Sequence, residues 1–363
     1  AISIERNQLQ QSIENLFEGF VRASVQIIEA RDPTTSGHSE RVAELTVRLS
    51  EEASAVNTGP LRLIHFNERQ IQEIRYAALL HDFGKVGIPE ALLGKRKKLY
   101  PDQLEIIRHR FALAQRTLEM DCAQAKFKYL LEQSSHKHQD NTSTTECSHC
   151  QKLEQFDGQV AQAIERLNHY WELLQELNEP DVLLTREFQA FSEETSAQLT
   201  ALSEYTYRDV DGVVKPLISQ EEMLQLLVPR GNLTSQERLG IEAHVTHTYH
   251  FLKRIPWTKH LKNVPTIAYG HHEKLDGSGY PQGLKRDEIP VQTQILTIAD
   301  IYDALTASDR PYKRRLPMDT ALKILRQEAA RNKINSDLIE LFEQRQVFSV
   351  LGHTMTLDAH SVA

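Results

Sequence analysis

His271-His272-Glu273-Lys274-Leu275-Asp276-Gly277-Ser278-Gly279-Tyr280-Pro281 joins two adjacent histidines and a carboxylate to a loop with two glycines and a Tyr-Pro pair. Adjacent side chains on a helix diverge by about 100°, so neighbouring imidazoles do not easily chelate one ion. At a helix end they can reach two different ions in one site. The glycines allow a tight turn or a close approach of backbone to a ligand. Taken alone, the stretch also suits a surface turn with solvated histidines. Its companions in the chain decide between the two.

Each flank adds ligand chemistry. Upstream, Leu233-Thr234-Ser235-Gln236-Glu237 opens a helix, with Thr234 and Glu237 spaced as a capping box, and that helix carries His244 and His247. Downstream, Gln294 to Leu305 is an apolar helix with Asp300 and Asp303 three apart on one face. Ser308 to Arg315 is the dense basic cluster nearest to these residues. Farther upstream, a helix with Ile71, Ile74, Ala77, Ala78 and Leu80 ends in His81-Asp82-Phe83-Gly84-Lys85-Val86-Gly87-Ile88-Pro89. A histidine and an aspartate there must be satisfied, by a metal or by a structural hydrogen bond. Lys85, one turn on, is a partner suited to a phosphate and favours the metal. Arg31 to Val42 is punctuated by Asp-Pro and Ser-Gly before His38 opens the next helix, where a histidine alone would be a cap or a surface residue.

Leu9, Ile13, Leu16, Phe20, Ala23 and Ile27 alternate steps of four and three, the seam of a coiled coil or a bundle. A core-packing first helix and a dimerising stalk both fit it. After the His81 block, a helix opening near Lys97 to Asp102 carries His109 and runs toward Leu131. The chain then changes character, and residues 120–230 are expected to be an insertion. His136, His138, Cys147, His149 and Cys150 lie in a polar stretch there, followed by helical patterns at Val160 to Leu177 and Phe188 to Leu202. Tyr205 to Val214 predicts a hairpin turning at Asp211-Gly212. Cys147-x-x-Cys150 with the upstream histidines is half of a zinc signature, weighed against a solvated loop.

The 363 residues are 40% hydrophobic and 25% charged, and suit a soluble globular protein of two domains, or of one domain with a large insertion. A net charge of −8 argues against general nucleic-acid binding. No apolar run approaches the roughly 18 to 20 residues of a membrane span, and no signal peptide is expected. Three cysteines do not make a disulfide framework, so a cytoplasmic location is expected. The chain opens at Ala1 rather than Met and reads as a piece of a longer protein.

His38, His81, Asp82, His244, His271, His272 and Asp300 are thus imidazoles and carboxylates delivered from successive helices. Such borderline N/O donors suit Fe, Mn, Zn or Co. They are too many for one catalytic ion with open positions and about right for two, with Asp82 as a bridge. Two ions roughly 3.5 to 4 Å apart can hold a hydroxide and clamp a phosphate, a hydrolase design.

The Asp32 to Val42 segment, the His-Asp block through Gly84-Lys85 and Gly87-Ile88-Pro89, the His-His-Glu to Gly-Tyr-Pro block and Ile298 to Lys313 together resemble the HD-GYP subfamily of HD metal-dependent phosphohydrolases. The resemblance covers about residues 20–110 and 230–345 and implies cyclic di-GMP hydrolysis to pGpG, and on to GMP. By its implication a metal-bridging hydroxide attacks phosphorus. The seven residues above would bind two divalent ions (Fe or Mn, with Zn, Ni or Co as alternatives), His81, Asp82 and Lys85 forming the catalytic group. Lys85, Arg310 and Lys313 would meet substrate phosphates, and Tyr280 would sit in a loop contacting substrate or a partner protein. Asp303 is either an orienting partner of a ligand histidine or a helix-surface carboxylate.

Three departures qualify the match. Thr34 stands where members with a third metal carry Glu, which implies two metals here. His109 keeps the family spacing from His81 and His244 the spacing to His271; His244 is preferred, because its helix feeds the next ligand pair. Gln294 replaces a frequent Arg, which would weaken substrate binding. Hydrolysis of another nucleotide, or a silent receptor for the messenger, are the rival functions.

The expected fold is all-α, an HD-type bundle with a large, mostly helical insertion holding a small β-hairpin. Its expected parts are an N-terminal helix (1–30) linking to a sensor or forming a dimer stalk, a first domain part (20–119), the insertion (120–230), a second part (231–345) and a tail (346–363). A homodimer through the first helix and a partner protein at the Gly-Tyr-Pro loop or the insertion complete the expectations.

Overall fold

A computed structural model of the chain describes residues 2–31, 36–132, 148–180, 193–307 and 315–354. It divides into two compact units, Ala1–Gly94 with Glu237–Ala363, and Lys95–Gln236.

The first unit begins with α1 (Ile2–Arg31), α2 (His38–Ser54), α3 (Glu68–Leu80) and the single turn α4 (Glu90–Leu93). Gly37, at φ 64° before α2, occupies the left-handed region that glycine tolerates, and its N–H donates to Glu29 Oε1 at 2.7 Å. α3 opens on a reciprocal cap: Asn67 accepts the Gln70 N–H, and the Gln70 side chain accepts the Asn67 N–H. Ile74, Ala77, Ala78 and Leu80 recur at helical spacing and are buried. His81 ends α3, and Phe83–Gly87 tightens into a 3-10 turn.

The second unit contains α5 (Pro101–Glu132), α6 (Ser148–Leu177), α7 (Glu193–Glu204), a hairpin of β1 (Thr206–Arg208) and β2 (Val214–Pro216), and α8 (Gln220–Leu226). The strands pair antiparallel with Tyr207 opposite Lys215, and Gly212 takes φ 77° in the turn. The border differs from the expected break at residue 120. α5 runs across that position, and its Ile107, Phe111 and Ala114 pack with Leu167 and Leu174 of α6 in this unit's own core. Apolar burial therefore assigns the His109 helix to the second unit.

The chain returns to the first unit with α9 (Ser235–Leu252), α10 (Val264–Tyr269), α11 (Val291–Thr306), α12 (Met318–Ala330) and α13 (Ser336–Gln344). Its core gathers side chains such as Leu45, Leu49, Ile74, Leu80, Ile298 and Phe342. Val347 and Phe348, from the segment expected as a tail from residue 346, belong to this core. Val347 and Phe348 are fully buried, with the Phe348 ring stacked 6.1 Å from Tyr302. A second difference concerns α1, which packs inward through Val21, Val25 and Ile28, while Ile13, Leu16, Phe20 and Ile27 of the four-three seam stay exposed.

The fold is all-α, with one two-stranded hairpin among the described residues. No helix among them is long and apolar enough to cross a membrane.

Candidate metal centre

Five segments of the first unit converge on one buried cluster. α2 delivers His38 from its first position, and α3 and the turn after it deliver His81 and Asp82. His244 comes from the middle of α9, His271 and His272 follow α10, and Asp300 lies on α11. Three groups have ligand atoms within 4.8 Å of one another: His38 with His81 and Asp82, His81 with His271 and Asp300, and His244 with His271 and His272.

Three of the histidines are set by one local device. His81, His244 and His271 each donate from Nδ1 to the carbonyl three residues earlier, those of Ala78, Ile241 and Ala268, all at 2.6 Å. That bond fixes the tautomer and leaves an Nε2 lone pair facing inward. All three Nε2 atoms are buried without a hydrogen-bond partner. His244 Nε2 lies 3.1 Å from Asp82 Oδ1 but is not aligned as a donor. Buried nitrogen lone pairs aimed at carboxylates are costly unless a cation joins them, so these residues fit a divalent metal.

Asp82 divides the cluster. Its Oδ2 faces His81 Nε2 at 3.6 Å and His38 Nε2 at 3.8 Å, while its Oδ1 faces His244 and, at 3.9 Å, His271 Nε2. Asp300 Oδ1 stands 3.4 Å from His38 Nε2 and 3.8 Å from His81 Nε2. The Lys85 ammonium lies 2.7 Å from Asp82 Oδ2, so it sits on the carboxylate group itself.

Electrostatics place protons accordingly. Burial opposes a charge on His38, yet hydrogen bonding to Asp300 and Asp303 outweighs it and raises the imidazole to about 9. Burial lowers His81 and His271, and takes His272 down to about 3. For Asp82 burial favours the acid form, but Lys85 and His81 hold it well below the usual carboxylate range. His38 and His81 do the same for Asp300. His81, His271 and His272 are thus neutral beside anionic carboxylates, the protonation states a transition-metal site requires, whereas His38 carries a proton that a metal would have to displace.

A supporting layer holds these side chains. Asp303 accepts from His38 Nδ1 at 2.7 Å and from Arg41 Nε at 2.6 Å, which makes it an orienting partner rather than a surface carboxylate. Thr248 Oγ1 accepts the Gly84 N–H at 2.8 Å, and a Cβ on Gly84 would fall 1.9 Å from the His244 carbonyl oxygen. Only glycine lets the His-Asp turn approach α9 so closely. Buried Glu273 accepts the N–H groups of Gln282 and Leu284 at 2.7 and 2.9 Å, bracing the Gly-Tyr-Pro loop. The Tyr280 ring lies 4.8 Å from His272, and burial pushes its phenol up. Sequence reasoning gave no role to Arg41, Thr248 or Glu273. Only the carboxylate directly after the histidine pair carried a signal that could have been followed.

Other expected site residues fall elsewhere. His109, on α5 in the second unit, is largely exposed and lies 3.4 Å from Glu105. Gln294 spends its amide on structure, donating to the Ile289 carbonyl and accepting from Asn335, both at 2.9 Å. Thr34, Arg310, Lys313, His136, His138 and Cys147 lie outside the described residues, and with them the basic cluster and most of the half zinc signature. Cys150 lies in the first turn of α6, where the adjacent His149 Nδ1 is 3.0 Å from Tyr129 Oη.

Two family profiles, each described as an HD domain, match residues 35–125 and 220–338. Among curated relatives, a 3'3'-cGAMP-specific phosphodiesterase 3 of Vibrio cholerae is 43% identical over 95 residues, 26% of this chain and 20% of its own length. A cyclic di-GMP phosphodiesterase of Thermotoga maritima is 37% identical over 119 residues, 32% of this chain and 31% of its own. The cyclic di-GMP phosphodiesterase response regulator RpfG of Xanthomonas campestris pv. campestris is 38% identical over 100 residues, 28% of this chain and 26% of its own. The chain thus spans between a fifth and a third of the length of these relatives.

Proposed function

We propose that this chain, which carries an HD domain of the HD-GYP kind divided by an inserted helical unit, is a metal-dependent phosphodiesterase that hydrolyses cyclic di-GMP to pGpG and on to GMP. The observation that carries the reading is the set of three orphaned Nε2 atoms, of His81, His244 and His271, buried around the two oxygens of Asp82.

His38, His81, Asp82, His244, His271, His272 and Asp300 would hold two divalent ions, iron or manganese. When bound, such ions supply Lewis acidity and a water nucleophilic at neutral pH. The chain's own residues supply the rest. The Ala78, Ile241 and Ala268 carbonyls and the Asp303 carboxylate keep each imidazole pointing inward. Lys85, tethered at Asp82, places a positive charge where a phosphoryl oxygen gathers negative charge. Tyr280, locked beside His272 by the Glu273 brace, presents an aromatic face at the site. Arg310 and Lys313 would add phosphate contacts.

A second reading, in which the substrate is another cyclic dinucleotide, is favoured by the 43% identical relative named for 3'3'-cGAMP. The two are separated by an anaerobic assay of protein loaded with Fe(II) or Mn(II), offered both dinucleotides, with a chelator control. Metal-dependent pGpG or GMP from cyclic di-GMP is expected, and should vanish in a His81→Ala, Asp82→Ala variant. Turnover of 3'3'-cGAMP alone selects the second reading. Turnover by the double variant, or none with metal bound, refutes both.

A further inference from the structure

α1 has two apolar faces, and the described chain buries one. Val21, Val25 and Ile28 enter the core, and Phe17 packs against it. The other face, Ile13, Leu16, Phe20, Ala23 and Ile27, advances in steps of three and four and is exposed, at 55% for Ile13, 76% for Leu16, 41% for Phe20 and 50% for Ile27. Ser12, Gly19 and Gln26 run along its edge, so the stripe from residue 12 to residue 27 carries no charge.

We propose that this face pairs with the same face of a second copy, as a parallel two-stranded coiled coil. The repeat is 3.5 residues, the period at which two helices supercoil with one seam continuously buried. In that register Ile13, Phe20 and Ile27 take one core position and Leu16 and Ala23 the other. Branched isoleucine at the first with leucine at the second is the pairing that favours two parallel strands. The uncharged edge sets no like charges opposite each other across a two-fold axis. A Cβ on Gly19 would meet nothing within 4 Å, leaving room for a partner helix to come close.

The inner face of α1 is bonded to chain next to two segments of the metal centre. Glu29 holds the Gly37 N–H just ahead of His38, and Arg31 donates to the Ile88 carbonyl at the end of the His-Asp turn. A partner on the outer face would thus be carried by a helix anchored to the segments that bear His38 and Lys85. The inference stands independently of any substrate.

Sedimentation equilibrium of the full chain at micromolar concentration tests it, beside a Leu16→Glu, Phe20→Glu variant. The unchanged chain is expected as a dimer whose melting temperature rises with concentration, and the variant as a folded monomer that melts cooperatively at a temperature independent of concentration. Ile13→Cys, in a background with Cys122, Cys147 and Cys150 changed to Ser, should form a disulfide-linked dimer under oxidation, as only a parallel register brings the two copies of residue 13 together. A monomeric unchanged chain, or a dimer that survives both glutamates, overturns the proposal. So does a monomer that binds phosphatidylglycerol vesicles through Leu16 and Phe20, which would give the face to a lipid surface.

Discussion

His38 donates from Nδ1 to Asp303 Oδ2 across 2.7 Å, joining the first turn of α2 to α11 over 265 positions of sequence. His81, His244 and His271 are held by backbone carbonyls, which no substitution removes. His38 is held by a side chain, and so is open to mutation.

Asp303→Asn should therefore weaken metal binding by about 10- to 100-fold, the usual cost of losing a carboxylate behind a ligand histidine. The same change releases Arg41, which donates Nε and Nη2 to that carboxylate. Competition against a chromophoric chelator measures the affinity. An affinity equal to that of the unchanged protein would show that His38 needs no such partner.

The metal-free protein should be most stable near neutrality. His38 titrates at about 9 when folded, against about 6.5 unfolded, so its contribution is complete below about 6.5 and is lost as pH rises toward 9. His81, His271 and His272 are shifted down, so the unfolded chain takes up their protons first and stability falls as pH drops below about 6.5. Asp82 and Asp300, also lowered, add a further loss as pH falls below about 4. Melting in chelator across pH 4 to 10 should trace both arms, and His38→Gln should flatten the alkaline one while also lessening the acid loss that comes from Asp300, whose cationic partner it removes. An alkaline arm unchanged in that variant would rule out His38 as its source.

Gly84→Ala should be far more damaging than its single methyl suggests. The added Cβ would lie 1.9 Å from the His244 carbonyl oxygen and 2.5 Å from the Thr248 nitrogen, both backbone atoms of α9. The turn and the helix must separate, at a cost of about 3 kcal/mol or more, and Asp82 leaves His244. Denaturant unfolding together with bound metal per chain reads both effects; native stability with full metal content would contradict the close packing.

Glu273→Gln separates the loop from the metals. A carboxylate accepts both the Gln282 and Leu284 N–H groups, whereas an amide can offer only one oxygen. The loss should be about 1 to 3 kcal/mol, with metal content unchanged and KM raised for the cyclic dinucleotide as Tyr280 loses its brace. Unchanged KM with unchanged stability would deny Glu273 that role.

Much of this was open to the sequence, because it is local. Helical periodicity marked α3 and α11, and the Asp211-Gly212 pair marked the hairpin turn. The His81-Asp82 and His271-His272 pairs declared their chemistry through residue type alone. The family resemblance rested on these same short blocks.

What the sequence left open depended on contacts between distant segments. His109 and His244 both had acceptable spacing, and packing separates them: Ile107 and Phe111 draw one helix into the core of the second unit, while Gly84 admits α9 against the His-Asp turn. α1 offered two apolar faces, and only the core shows that Val21, Val25 and Ile28 turn inward. Phe348, expected in a tail, fills space beside Tyr302. Sequence by itself determined the helices and the ligand chemistry, since both follow from backbone period and side-chain type within a few residues. Tertiary structure decided which imidazoles meet which carboxylate, because burial and close backbone approach depend on residues far apart in the chain.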